Sequence, residues 1–321
     1  MSTKPIIIIG GEPFSIFSEI LFKCIKSSYR SKKPLILIGS LQLFKAQMNK
    51  LGFKIKFNQI NENFKYKDLK LDKTINIINV NFIFSECFSS ISNDSQNYIE
   101  NCFSIGLKIA KRTKISGLIN GPISKPNFFI KDKYPGITEY LSHKTNTKKV
   151  VMLIYNKNFS VTPLTTHIPL KYVHKFIDKK KIFNCVKILK QFYKIKFKKD
   201  PLILITGLNP HCESSDKNNE EKKIIIPAIK ILKKKFRNID GPFSVDSLFM
   251  KKNLNKFDVV IGMYHDQVLT PAKTIHNFKA INITLGLPFL RISPDHGPNN
   301  QMIGKNISNH ESLLEAIKFL N

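Results

Sequence analysis

Short runs of β-branched and apolar residues alternate with longer amphipathic stretches along all 321 residues, and this alternation restricts the fold more than any other feature. Strand-like runs occur at Pro5–Ile9, Leu35–Gly39, Ile75–Val80, Ser116–Ile119, Val150–Ile154, Leu202–Thr206, Val259–Met263 and Ala280–Thr284. Helical stretches separate them at Ser18–Ser28, Asn97–Lys111, Lys171–Phe192 and Lys222–Phe236. In the last, Ile225, Ile229 and Leu232 share one face and lysines occupy the other, which is a helical period. Strands and helices in alternation imply an α/β fold with largely parallel strands. At a typical ~150 residues per domain, the length suits two domains. No linker or repeat divides the chain, so it must cross between two lobes.

Composition removes several function classes. A hydrophobic content of 42% supports a packed core rather than a disordered chain. No stretch approaches the ~20 apolar residues of a membrane span. The N-terminus, MSTKPIIIIGGEPF, has too short an apolar segment for a signal peptide and no small-residue cleavage site. Five scattered cysteines without a CxxC pair read as reduced thiols in a cytoplasmic protein.

The net charge of +29 raises nucleic-acid or anionic-surface binding as an alternative class of function. The lysines, however, are spread over the whole chain, and only four arginines occur, at 30, 112, 237 and 291. Arginine is the better bidentate phosphate ligand, so a small anionic substrate is the more economical reading. The segment after the first strand, GGEPFSIFSE (10–19), is not GxGxxG. A nicotinamide cofactor bound here would not use the ordinary dinucleotide fingerprint.

Three of the eight histidines follow strand-like runs: His167 in SVTPLTTHIPL, His211 in PLILITGLNPHCES and His265 in VVIGMYHDQ. Ligands of open α/β sheets bind at the carboxyl ends of strands, and three imidazoles with open positions can hold a catalytic divalent ion. A lone histidine after a strand is more often a cap or a surface residue, and these three have no diagnostic ligand spacing. Cys212 reads either as a fourth ligand or as an inert thiol.

The segments NGPISKPNF (120–128), PGITEYLSHKT (135–145), TTHIPL (165–170), GLNPH (207–211), GPFSVDSLF (241–249), MYHDQVLTPAK (263–273) and NITLGLPFLRISPDHG (282–297) together resemble the 4-hydroxythreonine-4-phosphate dehydrogenase family of pyridoxal phosphate synthesis. The resemblance spans nearly the whole chain. It implies a two-lobed α/β/α fold like that of isocitrate and isopropylmalate dehydrogenases, with the active site in the interlobe cleft. The expected lobes are 1–130 with 290–321, and 131–289, the second bearing the metal and dimer contacts. It implies a divalent ion (Zn, Mg, Co or Mn) on His167, His211 and His265, shared across a homodimer.

The implied reaction is NAD- or NADP-dependent oxidation of 4-phosphohydroxy-L-threonine. The resulting β-keto acid loses carbon dioxide to give 3-amino-2-oxopropyl phosphate. Thr138, Lys273, Asn282 and Arg291 match substrate-binding positions, and Asp246 with Lys273 the catalytic ones. Arg291 has independent support, because an arginine kept in a lysine-rich chain points to a need for the planar fork. Its alternative is a structural ion pair; that of Lys273 is a plain surface lysine, and that of Asp246 a helix cap. Asp266 either orients His265 or caps a helix. DHGPNNQMIGK (295–305) resembles the family's cofactor loop, with His296, Gly297 and Gly304 matched. The competing reading of its glycines is a tight turn.

Four departures qualify the resemblance. Ile137 stands where the family has a substrate-contacting histidine. GEPFSIFSE replaces GEPAGIGPE, CESSDKNNEE replaces a glycine-rich stretch, and Pro298-Asn299 replace Thr-Ala. A related substrate, threonate or erythronate 4-phosphate, is therefore the alternative within the same chemistry.

Overall fold

A computed structural model of the chain describes residues 4–71, 73–128, 134, 136–213, 219–294 and 296–321. It divides into two compact units, Met1–Leu141 with Pro288–Asn321, and Ser142–Leu287.

The first unit runs β1 (Ile6–Ile9), α1 (Phe17–Lys26), β2 (Leu35–Gly39), α2 (Leu41–Lys50), β3 (Lys56–Ile60), β4 (Thr74–Asn79), α3 (Gln96–Arg112), β5 (Gly117–Asn120), α4 (Lys125–Phe128) and α5 (Ile137–Lys144). The second unit follows with β6 (Val151–Tyr155), β7 (Ser160–Pro163), α6 (Lys179–Phe197), β8 (Ile203–Thr206), α7 (Ile226–Lys235), β9 (Ile239–Phe243), α8 (Val245–Leu248), β10 (Val259–Gly262), α9 (His265–His276) and β11 (Ile281–Leu285). The chain then returns to the first unit for β12 (Arg291–Pro294) and α10 (Glu311–Leu320).

In the first unit the strand order is β3-β4-β2-β1-β5-β12, and every neighbouring pair is parallel. All four isoleucines of β1 are buried, as expected where helices cover both faces of a parallel sheet. Helix α3 buries Tyr98, Ile99, Cys102, Phe103, Gly106 and Ile109, a helical stripe. Gly106 permits the close approach, since a Cβ there would stand 2.9 Å from Ile9 Cδ1. From β1 the chain moves to β2 on one side and later returns with β5 on the other. The exits of β1 and β5 thus form a switch point, where open α/β sheets admit ligands.

In the second unit the order is β11-β6-β7-β10-β8-β9. Strand β6 runs antiparallel to both β11 and β7, whereas β7, β10, β8 and β9 are parallel neighbours. Phe159, Val161, Leu204 and Val260 build the core, on which α9 lays Val268, Leu269 and Ala272. That anchoring leaves the first turn of α9, with His265 and Asp266, at the carboxyl end of β10.

Two helices differ from the periodicity reading. Lys171–Phe192 is not one helix: a 3-10 segment, Leu170–Phe176, precedes α6. The Asp178 side chain accepts the Lys181 amide at 2.7 Å and starts α6 there, a capping signal that outweighs apolar spacing. The Lys222–Phe236 stretch opens with a π-helical turn, Glu221–Ile225, ahead of α7, where Pro227 lacks an amide. Strands β3, β9 and β12 were not predicted, because KFNQI, IDGPF and RISP are short and lack an apolar run. Among the described residues no helix is long and apolar enough to cross a membrane.

Candidate active site

Strand pairing brings two of the predicted histidines together. Strands β7 and β10 align Pro163 with Gly262, and the pairing continues past their ends. The Leu164 amide bonds Gly262 O at 2.7 Å, and Thr165 Oγ1 bonds Met263 O at 2.7 Å. Four residues beyond Pro163 and three beyond Gly262, the rings of His167 and His265 lie 6.1 Å apart between centroids. Metal–nitrogen bonds of about 2.0–2.1 Å, plus about 1.1 Å from nitrogen to ring centre, put two imidazoles sharing a tetrahedral ion roughly 5 Å apart. The pair stands about an ångström wider than that, within reach of a small rotation of either side chain. His265 Nδ1 lies 2.6 Å from Asp266 Oδ1, a carboxylate–histidine arrangement that leaves Nε2 for a ligand.

His211 is placed differently. It stands in the loop after β8 in a left-handed conformation (φ 55°), as does Cys212 (φ 60°). Such backbone costs roughly 1–2 kcal/mol per non-glycine residue and must be held by its surroundings. Its Nδ1 is 3.9 Å from Asp246 Oδ2, and both side chains are exposed (76% and 65%). Among the described residues, no three His, Cys, Asp or Glu side chains converge as a metal site. Burial pushes the Cys212 thiol above its ordinary pKa, against the pull of the Gly207 backbone.

Two residues without a role in the sequence reading hold this region. Glu221, almost fully buried, accepts the amides of Leu208 and Asn209 at 2.7 and 2.8 Å and the Asn209 side chain at 2.8 Å. Burial raises its pKa, but these hydrogen bonds outweigh that and leave it below the usual glutamate value. Gln267 bonds groups at the exits of both β8 and β10. No spacing rule singles out Glu221, which closes the CESSDKNNEE departure; residues 214–218 of that stretch lie outside the described residues. Gln267 was visible only as the last letter of YHDQ.

Asp246 lies in the first turn of α8, and Ser244 rather than Asp246 occupies the N-cap position. The Ser244 hydroxyl and the Ser247 amide hold its carboxyl below the usual aspartate pKa. Lys273 is exposed on α9, two turns beyond His265. Asn282, on β11, has a buried Oδ1 with no hydrogen-bond partner among the described residues. A buried carboxamide oxygen without a partner is costly, and here it is an acceptor suited to a substrate N–H or O–H donor.

The first unit carries the remaining predicted residues. Arg291 on β12 is 1% exposed, and its Nε donates to Asn120 Oδ1 at 2.7 Å across the β5 exit. Burial lowers its pKa to about 10 and the Glu139 charge partly restores it, so the guanidinium stays charged at neutral pH. Thr138 is half-buried on α5, next to Ile137; Pro135 lies outside the described residues. In the loop 296–304, His296 is half-buried, a Cβ on Gly297 would meet nothing within 4 Å, and Gly304 takes φ 72°. The Pro298 carbonyl accepts the Ile16 amide, so two departures from the family pattern meet there. Asn299 adopts φ 54°, which asparagine tolerates better than alanine.

Beside that loop's contact, Glu12 is 1% exposed. Ser95 Oγ donates to its Oε2 at 3.1 Å, while Oε1 has no partner among the described residues. Burial raises its pKa from 4.5 to about 7, against the pull of Ser95 and the Phe14 amide. A raised carboxyl pKa stabilises the fold at low pH; that contribution is lost as pH rises from 4.5 through about 7, where the unfolded chain ionises first. Glu12→Gln should therefore match the native chain near pH 5 and exceed it in melting temperature by pH 8. A constant gap across that range would contradict the assignment.

These features define an α/β enzyme that gathers imidazole, carboxylate and carboxamide groups at the carboxyl ends of its strands. The family model described as "Pyridoxal phosphate biosynthetic protein PdxA" matches residues 30–320. A 4-hydroxythreonine-4-phosphate dehydrogenase of Sulfurihydrogenibium sp. is 35% identical over 314 residues, covering 96% of this chain and 94% of the relative. An Oceanobacillus iheyensis protein, provisionally named a D-threonate 4-phosphate dehydrogenase, is 30% identical and covers 99% and 97%. The crystal structure of the Klebsiella pneumoniae 4-hydroxythreonine-4-phosphate dehydrogenase superposes with a TM-score of 0.84 at 25% identity, covering 99% and 98%. The chain belongs to the PdxA family, and it is an oxidoreductase of the dehydrogenase class.

Proposed function

We propose that this chain oxidises the secondary alcohol of 4-phosphohydroxy-L-threonine with NAD or NADP, the β-keto acid then decarboxylating to 3-amino-2-oxopropyl phosphate. The observation that carries the reading is the His167–His265 pair, with centroids 6.1 Å apart at the exits of adjacent parallel strands. A divalent ion held there, completed by His211 where two copies of the chain meet, would acidify the alcohol and stabilise the enolate left by decarboxylation. His296, Gly297 and Gly304 would hold the nicotinamide cofactor, which would supply the hydride acceptor. Asp246 is ionised, since Ser244 and Ser247 hold its pKa down, and would take the proton of an alcohol that the ion has acidified. Asn282 offers a buried acceptor with no partner among the described residues, and Lys273, Arg291 and Thr138 are the proposed contacts to the substrate's anionic and hydroxyl groups. The cytoplasm is the proposed compartment, in keeping with five free cysteines.

A second substrate has a specific argument. Ile137 removes an imidazole donor, and a relative named for D-threonate 4-phosphate is as similar as several named for the threonine derivative. The test is NAD(P)H formation by chelator-treated protein resupplied with Mg, Mn, Co or Zn. The substrates compared are 4-phosphohydroxy-L-threonine and the threonate and erythronate 4-phosphates. Metal-dependent turnover of the first is the expected result. Turnover of a sugar acid alone would move the substrate and keep the chemistry. No turnover of any of them would return attention to the charge of +29 and a binding role.

A further inference from the structure

We propose that Gln267 is a positioning residue: its carboxamide anchors both the loop that carries His211 and the loop that carries His265, and so fixes where each of these metal-binding imidazoles stands. The inference rests on the metal-dependent reading above.

Gln267 sits on the first turn of α9, two residues past His265. Its Oε1 accepts the Met263 amide at 2.6 Å and the Thr206 hydroxyl at 3.1 Å, and its Nε2 donates to Gly207 O at 2.8 Å. Met263 leaves β10, while Thr206 ends β8 and Gly207 opens the loop to His211; β8 and β10 are parallel neighbours. Met263 and Thr206 are fully buried, so water cannot replace these bonds cheaply. A peptide N–H can only donate and a carbonyl only accept, which fixes the carboxamide orientation and requires both ends of a glutamine. Glutamate would set a carboxylate against Gly207 O, and leucine would leave three groups unpaired. Gly262 makes the room, since a Cβ there would stand 3.2 Å from Gln267 Oε1 and 2.4 Å from Val268 Cγ1. On the far side Glu221 fixes Leu208 and Asn209. Held from both ends, the loop keeps His211 in its left-handed conformation.

The experiment titrates Co(II) into chelator-treated full-length protein, reads affinity from the visible absorption, and follows amide hydrogen exchange in the metal-free state. Gln267→Leu should weaken Co(II) binding roughly 10–100-fold, the range for residues that orient metal ligands. Exchange should quicken across 206–212 and at 263–265. Thr206→Val, which removes one bond of three, should weaken affinity less and serves if the leucine variant fails to fold. Gln267→Glu should keep protection at the Met263 amide without recovering the affinity. Val186→Ala, a core change on α6, should lower the melting temperature and leave Co(II) affinity unchanged. Native-like affinity in Gln267→Leu, or equal weakening in Val186→Ala, would overturn the positioning role while leaving the metal reading intact. If the native chain binds no Co(II), or His167→Ala and His265→Ala bind it as well as the native chain does, the metal reading fails and the positioning role falls with it.

Discussion

His167→Ala and His265→Ala should each lower turnover by well over about 100-fold, the upper end for residues that only orient a metal ligand. Both rings stand at strand exits, and the His265 side chain is 35% exposed. Removing either should therefore cost little folding energy, within about 0.5 kcal/mol as for ordinary surface changes. Each variant should melt close to the native chain and should not be rescued by raising the concentration of Mn or Co. Turnover within tenfold of native in either would mean that the imidazole pair does not hold the catalytic ion. His211→Ala keeps the cost of the left-handed backbone, because alanine retains the Cβ that causes it. Its effect should appear in turnover rather than stability.

Arg291→Lys should do the opposite to the fold. The guanidinium is buried and charged, and its Nε bond to Asn120 ties β12 to the β5 exit. Lysine keeps the charge but lacks the planar fork, so the bond to Asn120 is lost or distorted. Losing a hydrogen bond to a charged group costs about 1.5–3 kcal/mol, and the poorer fit of a buried ammonium adds to that. A stability loss of roughly 2–4 kcal/mol in denaturant titration is expected, together with a raised KM for the phosphorylated substrate. Lower stability with an unchanged KM would leave Arg291 as a structural anchor alone. No change in either would remove it from both roles.

Much of this is legible in the sequence. The isoleucine run of β1 and the Val259–Ile261 run of β10 are buried strands because nothing polar interrupts them. The histidines are legible because each stands within five residues of the end of a strand, and strand ends are where open sheets present side chains. Lys171–Phe192 was misread because apolar spacing ran through a break that a single Asp178 cap enforces. The edge strand β3 escaped because none of its five residues is fully buried, leaving too few apolar positions to signal a strand.

By itself, then, the sequence determined the alternating α/β fold, the family and the residue types at the strand exits, since these depend on local pattern and chemical identity. Only the tertiary structure decided which of those residues meet. It paired His167 with His265 through the β7–β10 register and left His211 beside Asp246 instead. It buried Arg291 against Asn120 and enlisted Gln267 and Glu221 to hold the loops. Hydrogen bonds between residues tens of positions apart are set by strand order and register, and no local spacing in a chain encodes either.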